Sequence, residues 1–394
     1  MGLRGMKWEY SHTVLLITWA GWIGIYLARG VLPPVLPVLA EELGLTHAQS
    51  GLLETAYLVG YIASKMPAGA LSSRFVARRV LAASMVGYGA ATFLVSGAAG
   101  YAQILVLRFL VGLFQGVHLP VANALLSDRF GPRQSRAIGF NESGANIGNT
   151  LAFPLTVTIL SSLGWRYAFV LLSLPAFLLS AAAFTLMRDE EPAPAAAGSR
   201  PNGRFRDYWR LLVPFALSHG AYNLVLRTTF TFTPSFLVEF RGLDVAAAGI
   251  VAATLPFAGI FAKMASGLVA ERLGRRLSIC GPLALSAVFL ATLVVFPGGS
   301  YLFVNLLLLG LTLYSFSPII YSSTTASLPS EYKSLGLGAV TVVGNIVGAV
   351  STSVVGALID LRGYGFTFLA ISAATVLSTA LIALVMVKNK NAEQ

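Results

Sequence analysis

Apolar residues run along this chain in blocks of about twenty, divided by short polar, glycine or proline punctuation. A helix of about twenty apolar residues crosses the hydrocarbon of a bilayer. The pattern predicts spans over 12–38, 48–72, 80–98, 102–127, 137–162, 167–187, 211–238, 245–270, 277–296, 300–329, 334–360 and 366–387, twelve transmembrane helices in all. One stretch breaks the rhythm. "RDEEPAPAAAGSRPNGRFRD", residues 188–207, is rich in Pro, Ala and charge and reads as a flexible linker. The expected organisation is an N-terminal six-helix bundle over 1–187, a linker over 188–210 and a C-terminal six-helix bundle over 211–394.

The two halves share a register. A shift of 198 residues places Arg29 on Arg227, Lys65 on Lys263, Gly69 on Gly267, Arg74 on Arg272 and Arg78 on Arg276. Internal repeats of this kind build many secondary transporters, whose solute site lies near the bilayer midplane between the repeats. The fold class expected is an all-α membrane protein of two pseudo-symmetric six-helix bundles.

Composition supports this reading. Apolar residues make up 56% of the chain and charged residues 11%, and the mean hydropathy is +0.75, the balance of a polytopic membrane protein. Cytoplasmic loops retain Lys and Arg. With the N-terminus inside, nineteen basic residues fall in cytoplasmic segments, and only Arg166, Arg241 and Arg362 fall outside. A multi-pass cell-membrane protein with both termini cytoplasmic is expected. The net charge of +11 is then largely topology, and no soluble segment is large enough to present a nucleic-acid surface. Arg4 and Lys7 precede a long apolar stretch without a small-residue cleavage pattern, so the first helix should be retained.

Candidate chemistry is sparse. Cys280 is the single cysteine and cannot form an intrachain disulfide. No His/Cys cluster has metal-ligand spacing, no Gly-rich phosphate loop is present, and no Ser-His-Asp set lies outside the membrane. Neither an enzyme nor a bound metal or cofactor is expected. The partners expected are a small anionic solute and the lipid bilayer, with the chain acting as a monomer.

Five basic residues fall inside predicted spans: Arg29, Lys65, Arg108, Arg227 and Lys263. Arg29 and Lys65 are each 18 residues from His47 in the connection between spans 1 and 2, and the same count about Val245 levels Arg227 with Lys263. Four cations are thus expected in one layer. Each costs at least about 2.5–3.5 kcal/mol at mid-membrane on insertion scales and therefore faces a bundle interior or an aqueous cavity. A bound anion relieves both the cost and the mutual repulsion. The alternatives are lysines that snorkel to the headgroups and cations paired with buried acids.

Other polar residues are ranked by face and depth. Glu54 shares a helix face with Tyr61 and Lys65 and is expected nearer the outer mouth, as a wetted interfacial acid or a proton-coupling group. Glu142, six residues after Arg136, is expected to pair with a loop arginine, with proton uptake as the alternative. His118 and His219 are read as packing residues before titrating ones. Arg108 is read as structural. Gly112, Gly116, Gly144 and Gly148 are small residues at four-residue spacing that let helices approach closely.

The string "GALSSRFVARR" after span 2 and its partner "GLVAERLGRR" after span 8 resemble the loop signature of the major facilitator superfamily, which runs Gly, Asp, Arg, Gly, Arg, Arg/Lys. Arg108 and Gly112 resemble a second motif of that superfamily. Ser73 stands where the signature has Asp, Val76 where it has Gly, and Glu271 replaces Asp in the second copy. By resemblance Gly69, Arg74, Arg78, Gly267, Glu271, Arg272 and Arg276 are gating residues. Within the superfamily the likeness is greatest to organophosphate:phosphate antiporters, through "WIGIYLAR" with Trp22, Tyr26 and Arg29, "SKMPAG" with Lys65, and "LVLRTTFTFTPSFL" with Arg227. That likeness implies that these residues cradle phosphate. The antiporters' helix-5 His falls at Ala145, beside a retained Asn146, and Lys263 has no counterpart. The anion:cation symporter family, which moves sugar acids and other carboxylates, is similar through its helix-1 Arg.

The mechanism these readings predict is alternating access, with Arg29 and Arg227 gripping the anion from opposite halves. Lys65 and Lys263 add charge, and Trp22, Tyr26, Tyr61 and Asn146 contact the solute. Phosphate and phosphate-ester exchange is the first expectation, because an empty cavity of unneutralised cations resists closure. Proton-coupled symport of carboxylates or sugar acids is the second, using Glu54, Glu142, His118 or His219. A non-transporting anion sensor is the third.

Overall fold

The computed structural model describes residues 9–189, 208–296, 298–329 and 332–392, with the side chains of 66–74, 132, 135, 264, 267–271, 275, 334 and 387–392 outside that description. Most of the predicted linker therefore lies outside the described residues. Gly69, Arg74, Gly267 and Glu271 of the loop motif lie on helical backbone, but their side chains are outside the description too.

The described residues form twelve rods. They are α1 (Tyr10–Leu43), α2 (His47–Arg74), α3 (Ala77–Val95), α4 (Tyr101–Phe130), α5 (Gln134–Leu163), α6 (Trp165–Leu186), α7 (Trp209–Ser235, ending in a π-turn over Phe236–Phe240), α8 (245–273), α9 (275–295), α10 (Ser300–Ala326), α11 (333–362) and α12 (364–392). Rods α8 and α9 meet at Gly274 (φ 71°), and α11 and α12 meet at Gly363 (φ 76°). A positive φ is costly with a β-carbon, so glycine allows a one-residue reversal there. Rod α1 is interrupted at Val31, just before Pro33 and Pro34, where the missing N–H groups break the ladder. Among the described residues, seven helical segments are by length and hydropathy alone sufficient to cross a membrane. Rods α2, α3, α5 and α7 are not among them, and three of these carry polar residues of the candidate site.

Small residues set the packing, and the packing repeats. A β-carbon on Gly112 of α4 would collide with the Tyr57 carbonyl on α2, and 198 residues later one on Gly310 of α10 would collide with the Leu255 carbonyl on α8. The two hairpins approach to backbone distance at equivalent positions. Gly144 and Gly148 of α5 lie against the Trp19 and Ile23 carbonyls of α1 in the same way.

The halves meet tightly at one end, marked by His47. Gly51 abuts the Thr352 carbonyl, Gly356 abuts the His47 carbonyl, and Thr55 Oγ1 donates to the Ala349 carbonyl at 2.5 Å. Deeper in, Asn149 Nδ2 of α5 donates to the Tyr314 hydroxyl of α10 at 3.0 Å, and Phe153 of α5 meets Phe230 of α7 edge to face. Beyond this floor, exposure rises along the facing surfaces. Arg29, Glu54 and Asn149 are buried, Tyr26, Tyr61, Lys65, Asn146 and Arg227 are half-buried, and Glu142 and Tyr321 are exposed. A cavity between the halves thus opens toward the end opposite His47.

Candidate solute site

The buried wall of the cavity is built on a shared carboxylate. Glu54 on α2 accepts from Arg29 Nη2 at 2.7 Å through one oxygen and from Arg108 Nη2 at 3.0 Å through the other. Both guanidiniums lie against the Tyr57 ring, at 4.7 Å and 4.9 Å from its centroid. Tyr57 in turn donates to Gln115 Oε1, and Gln115 Nε2 donates to the Ile25 carbonyl of α1. Helices α1, α2 and α4 are tied by one polar network.

This arrangement corrects three expectations. Glu54 is 1% exposed and bridges two arginines, so it is not a wetted acid at the mouth. Arg29 is paired. Depth differs from the residue count as well: α1 continues fourteen residues past Arg29 to Leu43, about 21 Å of helix, whereas Glu54 is seven residues, about 10 Å, from His47. Helix α1 therefore overshoots the start of α2, and equal counts from His47 do not give equal depth. Arg29 is level with Glu54 and Tyr57, not with Lys65.

The accessible part of the cavity holds different cations. Lys65 Nζ rests 4.6 Å from the Tyr61 ring centroid. Arg227, from the other half, lies within electrostatic reach of Lys65, Tyr61 and Glu54, and its Nε has no hydrogen-bond partner. Neither Lys65 nor Arg227 has a carboxylate within 4 Å among the described residues. Tyr26 lies at the centre, 5.9 Å from Trp22 and within electrostatic reach of Tyr61, Tyr222, Tyr314 and Tyr321.

The remaining candidates separate. Lys263 is within electrostatic reach of Glu142, and Glu142 of Tyr321, so this cross-half pair stands at the open part of the cavity. Among the described residues, Glu142 makes no ion pair with Arg136 or another loop arginine, contrary to expectation. His118 is buried edge-on to Trp22, with Nε2 3.1 Å from the Thr18 carbonyl. His219 packs on Tyr222 and Tyr321, with Asn223 Nδ2 3.2 Å from its Nε2. In the loop motif, Arg78 donates to the Phe184 and Met187 carbonyls and pairs with Asp189 at 2.6 Å, fastening the end of α6, while Arg272 and Arg276 are exposed.

Sequence reasoning missed Tyr57, Asn149, Tyr222, Tyr314 and Tyr321. Two were signalled: Tyr57 precedes Tyr61 by one turn on the same face, and Asn149 follows Glu142 and Asn146 along one stripe of α5. The tyrosines of α7 and α10 had no charged neighbour in the sequence to draw attention.

Comparison with known proteins places the fold. The model of the Major Facilitator Superfamily matches residues 18–352 and, overlapping, 215–394. The chain belongs to that superfamily. It is therefore a membrane transporter and not an enzyme, and the twelve-helix fold is the superfamily's. This superfamily member is 27% identical over 384 residues to a probable sulfoacetate transporter of Cupriavidus necator, covering 89% of this chain and 88% of that protein. It is 26% identical over 290 residues to a hexuronate transporter of Bacillus subtilis, covering 71% and 68%. Its fold superposes on a bacterial homologue of the lysosomal transporter Spinster with a TM-score of 0.82, at 16% identity and 96% coverage of both chains.

Proposed function

We propose that this transporter carries a small organic acid anion across the cell membrane by alternating access, with the Arg78 end in the cytoplasm. The observation that carries the proposal is the opposed pair Arg227 and Lys65: half-buried, from different halves, and without a carboxylate partner. A carboxylate or sulfonate entering between them makes charge-assisted hydrogen bonds to both halves at once, so binding favours closure. Tyr26, Tyr61 and Asn146 offer hydrogen-bonding groups around it, and Trp22 supplies an apolar wall. The names of the relatives, for hexuronate and sulfoacetate, agree with an acid of this size.

Neutralisation inside the protein favours net transport over exchange. The case for obligatory exchange rests on four unneutralised cations. Glu54, shared between Arg29 and Arg108, and Glu142, within electrostatic reach of Lys263, set two negative charges against these four cations and Arg108, which leaves three. An empty carrier with three excess positive charges returns more readily than one with five, so net movement of the acid is the first reading, with Glu142 as its proton-coupling group. Phosphate-ester exchange is the second, favoured by the proximity of both Arg29 and Arg227 to Tyr61, which suits a dianion.

Counterflow in proteoliposomes tests both. Labelled glucuronate should enter vesicles loaded with glucuronate and, given a proton gradient, empty vesicles too, and Glu142→Gln should keep the first and lose the second. Uptake only into phosphate-loaded vesicles, with phosphate esters as the effective competitors, would establish exchange instead.

A further inference from the structure

The His47 end carries a cluster that the solute site does not use. His47 opens α2 in the N-terminal half and projects between two acids of the C-terminal half. Its Nε2 lies 2.8 Å from Glu239 Oε2, at the end of α7, and its Nδ1 lies 2.7 Å from Asp360 Oδ1, near the end of α11. Asp360 also accepts the backbone N–H of His47 at 2.8 Å and of Ala48 at 2.9 Å. Tyr364 stands edge-on to the imidazole and donates to Glu239 Oε1 at 3.4 Å. Arg241, the nearest cation along the chain from Glu239, turns away to the Leu293, Val294 and Phe296 carbonyls, and Arg362 lies over Phe366. The groups facing His47 are thus two carboxylates and a phenol.

We propose that His47, Glu239 and Asp360 form a proton-binding latch between the two halves, holding the His47 end closed while the imidazole is doubly protonated and freeing it to open when one proton leaves. A neutral imidazole has one N–H and one lone pair. With a carboxylate oxygen within hydrogen-bond distance of each ring nitrogen, loss of either proton turns a charge-assisted bond into lone-pair repulsion and leaves two acids without their cation. Only the imidazolium satisfies both partners.

The direction follows from linkage. In the closed form the two carboxylates hold His47 above its ordinary value, and opening removes them. The latch is therefore fully engaged below the ordinary histidine range, and its contribution disappears as pH rises through the higher closed-form value. Each pH unit between the open and closed values changes the closed-to-open ratio about tenfold. The hydrogen bonds from the His47 and Ala48 backbone to Asp360 persist, so closure weakens and is not abolished. His47 is 28% exposed at the rim while the end is closed. Its proton exchanges with the solution on that side in either form, so it gates the cycle and is not carried across.

The test needs no solute, so its failure is separable from failure of the acid-transport reading. Spin labels at Ala99→Cys and Ser300→Cys, exposed positions in the two halves at this end, are placed in full-length protein carrying Cys280→Ser, in lipid nanodiscs. Pulsed-EPR distances between pH 5 and 9 should show a short-distance population that yields to a longer one as pH rises. His47→Gln should lower the short population at acid pH and remove the titration, and Glu239→Gln should weaken it. A wild-type distribution that does not move over this range, or a titration that survives His47→Gln unchanged, overturns the proposal.

Discussion

Replacing Glu54 with alanine leaves two guanidiniums stranded. The carboxylate is bound at 2.7 Å by Arg29 and at 3.0 Å by Arg108, and the arginines are only 5% and 1% exposed. Removing one member of a buried ion pair costs about 3–5 kcal/mol, because the remaining charge is uncompensated. Glu54→Ala strands two charges and should reach at least the upper end of that range. Arg29→Met removes a cation yet leaves the Glu54–Arg108 pair intact, so it should cost less, and Glu54→Gln, which keeps an acceptor, should fall between. Thermal unfolding in detergent measures the order. Added anion supplies a second signature. The freed Arg29 becomes a site for it, and an anion at a hundred times its dissociation constant stabilises by about 2.7 kcal/mol. Glu54→Ala should therefore recover more on adding anion than Arg29→Met, which keeps only the Arg227 and Lys65 site that the wild type also has. Equal losses in Glu54→Ala and Arg29→Met, or a Glu54→Ala protein that melts with the wild type, would refute the shared-carboxylate account.

Other expectations follow from single positions. Arg227→Gln should weaken counterflow affinity about ten- to a hundredfold, the value of one charge-assisted bond of about 1.5–3 kcal/mol, while melting stays unchanged because no carboxylate is orphaned. Gly51→Val drives a side chain into the Thr352 carbonyl; the His47 end should then fail to close, and cysteines introduced behind it should stay open to impermeant thiol reagents. Gly112→Ala places a β-carbon on the Tyr57 carbonyl and should cost about 1–3 kcal/mol of stability by overpacking, read as a lower melting temperature.

Much of this protein was legible before its structure. The punctuation between apolar blocks separates twelve helices, because a bilayer needs about twenty apolar residues from each, although α2, α3, α5 and α7 are too polar to pass as spans on hydropathy alone. The 198-residue register likewise reappears as paired glycine contacts, Gly112 on Tyr57 and Gly310 on Leu255. Depth was not legible. A count from His47 assumes that both helices of a hairpin begin at the same level, and α1 runs well past the start of α2. The partners of the cations were not legible either, since Arg29, Glu54 and Arg108 come from three helices whose mutual rotation is set by close packing rather than by spacing along the chain.

The asymmetry between the halves was nonetheless in the sequence. Moved by 198 residues, Glu54 falls on Ala252, Arg108 on Leu306 and Tyr57 on Leu255, all three buried and apolar. The C-terminal half repeats the cation of helix 1 as Arg227 and repeats nothing that neutralises it. Arg29 therefore has a carboxylate in contact and Arg227 has none within 4 Å among the described residues, although the two are equivalent by register. A site that must attract an anion and then release it needs a cation whose partner is the solute itself. At the helix-1 position the repeat supplies that cation as Arg227 alone, and the N-terminal half's cation without a carboxylate within 4 Å among the described residues is Lys65 on α2.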